Sequence, residues 1–109
     1  MNHILSLLDN YMHNNADEIS KTLADDFRKR RIEKGLTREQ VAERSGVALS
    51  NVARFEQKGL ISLRNLISLA IAMGYVSEVK GIFAEPKYAT MQELTQIRKN
   101  QGKKRAHKA

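Results

Sequence analysis

Between Arg38 and Glu56 the chain reads REQVAERSGVALSNVARFE, and its apolar positions Val41, Val47, Val52 and Phe55 recur at helical spacing among charged and small polar residues. Similar periodicity runs through the flanking sequence. From Ala16 to Lys34, Ile19, Leu23 and Phe27 stack at four-residue spacing, Asp17 and Glu18 sit in the opening turn, and Gly35 stops the segment. Thr37 and Gln40 have the spacing of a capping box, which predicts a short helix from Arg38 to Arg44. Gly46 supplies the left-handed turn that a side chain resists, and a third helix occupies Leu49 to Gln57. Ser62 is placed to cap a fourth helix, Leu63 to Met73, ended by Gly74, and Ser77 to cap a short fifth reaching Phe83. No stretch has the period-two alternation or β-branched density of a strand, so the expected fold is all-α.

Two short helices joined by a glycine turn pack closely only when a small residue occupies their crossing, a position Ala42 can fill. With Val41, Val47, Val52 and Phe55 turned inward, helical geometry turns Leu49, Ser50, Ala53 and Arg54 outward. The pattern is a helix-turn-helix whose second helix is presented to solvent. Such a helix fits the major groove of B-DNA, where base edges carry a distinguishable donor and acceptor code.

The residues F27-R-x-x-R31-x-x-x-G35-L-T37, V41-A42, G46-V47, V52 and F55-E56 resemble the Xre, or lambda-repressor-like, family of helix-turn-helix regulators over about residues 20 to 75. The segment S62-L-R-N-L-I-S-L-A-I-A-M-G74 is similar to that family's fourth helix. The resemblance implies a compact domain of four to five helices that binds double-stranded DNA. Base reading falls on Leu49, Ser50 and Arg54, with Asn51 and Ala53 beside them. Arg54 is the candidate for a bidentate contact to guanine, and Leu49, where a polar residue is common, for contact with a thymine methyl. Thr37 and Arg38 match the region that contacts phosphate at the start of the second helix, and Lys58 is a further phosphate candidate. The Gln57-Lys58-Gly59 ending is one residue longer than the common one. Arg31 and Glu56 match a structural ion pair, with phosphate contact by Arg31 as the alternative; Arg28, Lys29 and Arg30 read as a solvated face, and Arg44 reads either way.

Charge narrows the picture. The 109 residues carry a formal net charge of +7, which suggests a polyanionic partner. Residues 1–96, however, hold 13 Lys and Arg against 12 Asp and Glu, while residues 97–109 hold six and no acid. The basicity belongs to the tail, and DNA binding by the body has to rest on geometry. There is no cysteine, so neither disulfides nor thiolate metal sites are available, and His3, His13 and His107 lack ligand spacing. No metal or cofactor is expected. No nucleophile stands near a histidine, no glycine-rich phosphate loop occurs, and the carboxylates are scattered, so no enzyme is expected. Without a membrane-length apolar run or a cleavable leader, the default location is the cytoplasm.

The expected organisation is an N-terminal amphipathic extension over 1–15, with Ile4, Leu7, Leu8, Tyr11 and Met12 on one face, a DNA-binding domain over 16–85, and after Pro86 a short helix and flexible basic tail over 86–109. Thr90 and Glu93 form another capping-box pair in that last segment. The fourth helix is apolar nearly all round, which suggests a homodimer through it and through Val79, Ile82 and Phe83, matched to a palindromic operator; the alternative is one monomer core. The stretch F83-A-E-P-K-Y-A-T-M-Q-E-L with its basic tail resembles the segment C-terminal to the regulator domain in antitoxins of HipA-type kinase toxin–antitoxin operons. That likeness implies a HipA-like kinase toxin or an accessory antitoxin as partner, and a repressor that autoregulates its operon. A free-standing phage-type or metabolic repressor, and a protein-interaction or RNA-binding adaptor using the tail, are the alternatives.

Overall fold

Asn15 accepts a hydrogen bond from the Glu18 amide at 2.9 Å, one of a series of side-chain caps that delimit the helices. The computed structural model describes residues 14–103. Among them lie six helices, α1 (Ala16–Glu33), α2 (Arg38–Ser45), α3 (Leu49–Lys58), α4 (Leu63–Met73), α5 (Val76–Lys80) and α6 (Met91–Gln101), and no strand. The expected N-terminal amphipathic extension and the end of the basic tail lie outside the described residues. No helix among the described residues is long and apolar enough to cross a membrane.

Local chemistry accounts for most boundaries. The Thr37 hydroxyl accepts from the Gln40 amide at 3.0 Å and the Gln40 side chain accepts from the Thr37 amide at 2.8 Å, a reciprocal capping box that starts α2. Gly46, at φ 78°, ends α2 in the left-handed region, and the Ser45 hydroxyl accepts from the Val47 amide to brace the turn. No side chain caps α3; its first-turn amides at Asn51 and Val52 donate to the Ala48 carbonyl. Ser62 caps α4 through the Asn65 amide at 3.1 Å.

Three elements depart from the periodicity. The α5 helix starts at Val76 and ends at Lys80, short of Phe83, because Gly81 turns the chain and the Ser77 hydroxyl donates to Glu78 and does not cap. In α6 the Thr90 cap accepts from the Glu93 amide, but the Glu93 carboxylate accepts from the Ala89 amide, one residue earlier than a capping box requires. In α1, Ile19 and Leu23 remain 46% and 48% exposed, while Ala24 and Arg31 are buried and Ser20 and Phe27 partly so. The contact line of α1 therefore runs through Ser20, Ala24, Phe27 and Arg31, beside the apolar stripe. The cause is proximity: a Cβ on Gly59, at the end of α3, would lie 3.3 Å from the Ser20 carbonyl carbon and oxygen, so the small residues of α1 must face α3.

The described residues divide into two units, one ending at Val76 and one beginning at Ser77. In the first, α3 packs on α1 and on α2, and α2 packs on α4. Its core is Ala24, Leu36, Val41, Val47, Val52, Phe55, Leu69 and Met73, with Phe27, Ala42, Ile61, Leu66 and Tyr75 packed against it. The Phe27 and Phe55 rings meet at 5.5 Å between centroids with a 53° tilt, an arrangement favoured by the ring quadrupoles. On α4, Leu63 in the first turn and Ile71 on the side opposite buried Leu69 and Met73 are 70% and 58% exposed. In the second unit Ile82, Phe83 and Met91 are exposed, and Leu94 and Ile97 are partly buried.

The two glycines Gly46 and Gly59 separate conformation from proximity. Gly46→Ala is expected to cost about 1 kcal/mol, the left-handed penalty alone, since nothing lies within 4 Å of its added Cβ. Gly59→Ala should cost clearly more, because the Ser20 backbone must also move. Urea unfolding of the two variants checks this, and equal costs would contradict the close approach of α1 and α3.

Candidate nucleic-acid interface

The packing of α3 sorts its side chains. Val52, Phe55 and Glu56 are buried against α1 and α2, Leu49, Ser50 and Arg54 are exposed, and Asn51 and Ala53 are partly buried at the margin. Ser50 and Arg54, with Asn51 and Ala53 at its margins, thus lie on the side of α3 that the core does not use, whereas Leu49, three residues before buried Val52 and seven before buried Glu56, is on the core side and is exposed as the first residue of the helix. Arg54 has no hydrogen-bond or ion-pair partner among the described residues, so its guanidinium donors are unspent. An open cleft of about 380 Å³ lies along this side, lined by Asn51, Arg54, Leu60, Ile61, Ser62 and Asn65. Ser62 and Asn65 are polar neighbours of Arg54 that periodicity does not nominate. Ser62 is legible as a cap, but only folding brings the start of α4 beside the middle of α3.

The expected phosphate contacts occupy different surroundings. Thr37 is exposed at the start of α2, and although its oxygen serves the cap, its hydroxyl hydrogen has no acceptor among the described residues. Lys58 is exposed and closes α3, roughly 14 Å along the helix axis from Leu49. Arg38, the first residue of α2, has its Nε 3.0 Å from Glu56 Oε1 and its side chain is 32% exposed.

Arg31 and Glu56 are paired in the interior. Arg31 Nε donates to Glu56 Oε2 at 2.6 Å, Nη2 to Oε1 at 2.9 Å, and Nη1 to the Leu36 carbonyl at 2.8 Å. No buried side-chain polar atom among the described residues lacks a partner. Burial pushes the Glu56 carboxyl up, but the hydrogen bonds from Arg31 and Arg38, with their charges, outweigh it and hold the group below the usual carboxylate range. The bond to Glu56 chiefly raises the Arg31 pKa, against burial, so the pair is fully ionised near neutrality. Of the remaining basic residues of α1, Arg30 pairs with Glu33 at 3.2 Å on the exposed face, a contact worth little. No group of three or more His, Asp or Glu side chains that could hold a metal occurs among the described residues.

An all-helical unit with a glycine-turned helix pair, the second helix buried on one side and polar on the other, defines a DNA-binding helix-turn-helix regulator. Comparison with known families agrees: residues 27–80 match the family described as helix-turn-helix, which is the lambda-repressor-like class of that motif. No curated protein matches the chain. The matched span takes in the whole of α2, α3 and α4, and the domain class is that of a transcription regulator acting on DNA.

Because the folded Glu56 has a lowered pKa, its contribution to stability is complete above the ordinary carboxylate range and is lost as pH falls through the folded value. Thermal unfolding against pH should show this acid-side loss, and Glu56→Gln should flatten it. Glu56→Ala, which leaves the buried Arg31 unpaired, should cost about 3–5 kcal/mol in urea unfolding.

Proposed function

We propose that the chain is a sequence-specific repressor that binds double-stranded DNA as a homodimer on a palindromic operator, autoregulates its operon, and serves as the antitoxin of a HipA-like kinase module. The observation that carries the DNA reading is the segregation on α3, with Val52, Phe55 and Glu56 buried and Leu49, Ser50 and Arg54 exposed. In this reading Arg54 bonds bidentately to guanine, Leu49 meets a thymine methyl, and Ser50, Asn51 and Ala53 complete the reading surface. Thr37, Arg38 and Lys58 hold the backbone and set the register without reading sequence.

Dimerisation is supported by α4. From Asn65 to Ser77 no residue is charged, while Leu63 and Ile71 are left exposed on that helix. A two-fold interface brings each patch against its own copy, so an uncharged surface avoids like-charge repulsion at the axis. Two copies would then present α3 to half-sites roughly 34 Å apart. The antitoxin role is supported by the likeness of the segment from Phe83 to Leu94 and its tail to antitoxins of HipA-type operons. A kinase reading frame beside this one, whose product co-purifies with the chain, is the result that role requires.

The charge distribution favours one second reading, in which the tail alone binds nucleic acid: residues 97–109 carry six Lys and Arg and no acid. Binding to the duplex upstream of its own reading frame, against a shuffled duplex, separates the two. Arg54→Ala should reduce the preference for the native duplex by about 1–3 kcal/mol. Removal of residues 98–109 should lower the slope of log affinity against log salt by at most about five while leaving the preference intact. Equal binding of the native chain to both duplexes, lost on removal of the tail, would establish the second reading instead.

A further inference from the structure

Resting on the reading of α2 and α3 as a DNA interface, we infer that Glu56 is a positioning residue for a phosphate contact: through Oε1 it pins Arg38 by Nε and leaves that guanidinium's terminal edge to grip the duplex backbone. The two arginines on this carboxylate are used differently. Arg31 donates from Nε, Nη1 and Nη2, all to protein acceptors, and is consumed by the fold. Arg38 donates only from Nε, and its two terminal nitrogens have no acceptor among the described residues. With the Glu56 side chain fully buried and the Arg38 side chain 32% exposed, the carboxylate lies inside and the cation outside.

Helix stability does not explain an arginine at this position. Arg38 opens α2, where the helix dipole disfavours a cation, and the neighbouring Glu39 is the type of residue that a first turn prefers. What the position provides is a planar group held at one edge. When Nε is engaged, Nη1 and Nη2 still present two parallel N–H donors, the geometry that matches two phosphate oxygens. A long side chain fixed before DNA arrives also loses less rotamer freedom on binding than a free one. The three charges sum to one positive charge, and it belongs to the exposed member.

Charge and positioning make opposite forecasts for Glu56→Gln. Removing a negative charge near the duplex should tighten binding if only charge matters; it should weaken binding if the carboxylate holds Arg38 in place. The experiment is titration of a mixed-sequence duplex across a salt series, since phosphate contacts do not depend on sequence. Circular dichroism verifies that each variant is folded at the temperature used.

Arg38→Gln should weaken binding roughly tenfold and lower the salt slope by about 0.9. Glu56→Gln should weaken binding in the native background and change nothing further in the Arg38→Gln background. Arg38→Lys, which keeps the charge but lacks the pinned edge, should bind nearly as poorly as Arg38→Gln, and this variant decides alone if Glu56→Gln does not fold. Tighter binding by Glu56→Gln, an equal loss in both backgrounds, or native affinity for Arg38→Lys would each overturn the inference while leaving the DNA interface standing. An unchanged affinity and slope for Arg38→Gln would remove Arg38 from the interface and overturn the inference along with that part of the reading.

Discussion

The Glu56 carboxylate is withdrawn from water and satisfied by two arginines from two other helices, and through Arg31 the same network reaches the Leu36 carbonyl before α2. A buried charge is tolerated only when geometry and hydrogen bonds both close around it. Moving α1, the start of α2 or α3 relative to the others would break at least one of these bonds and strand a charge. The apolar core draws the helices together without direction; the carboxylate tells them how to sit. Its position on α3 matters most, because the side of α3 opposite Glu56, Val52 and Phe55 is the one that meets the outside.

Presentation of α3 is therefore a by-product of packing. The aromatic contact between Phe27 and Phe55 secures the middle of α3 to α1, and Gly59 lets its end approach the Ser20 backbone closely. The remaining side chains, including an Arg54 with no partner among the described residues, are held on a braced support. Rigid presentation lowers the entropic cost of recognition, which is why binding residues on a braced helix outperform the same residues on a loop.

Electrostatics divides the labour differently from geometry. The first 96 residues are nearly balanced in charge, and the buried Glu56 carboxylate is flanked by two cations, whereas the last 13 residues are strongly basic. In the proposed reading, a nearly neutral body discriminates through base edges, and a basic end adds affinity that falls with salt. Both can act in one chain because they depend on different residues.

The sequence alone determined the helical character, the caps at Thr37 and Ser62, the turn at Gly46 and the inward set Val41, Val47, Val52 and Phe55, because each signal operates within one turn of its own helix. The outward placement of Ser50 and Arg54 is dictated by that inward set through helical geometry, whereas Leu49 shares the face of Val52 and is exposed as the first residue of α3. Only the tertiary structure decided that Ile19 and Leu23 stay half exposed while Ser20 and Ala24 face α3, since closeness of approach is a property of two helices. It also joined Arg38 to the carboxylate of Glu56 and set Ser62 and Asn65 beside Arg54. These pairings link residues distant along the chain, where periodicity carries no information and the packing of one helix on another supplies it.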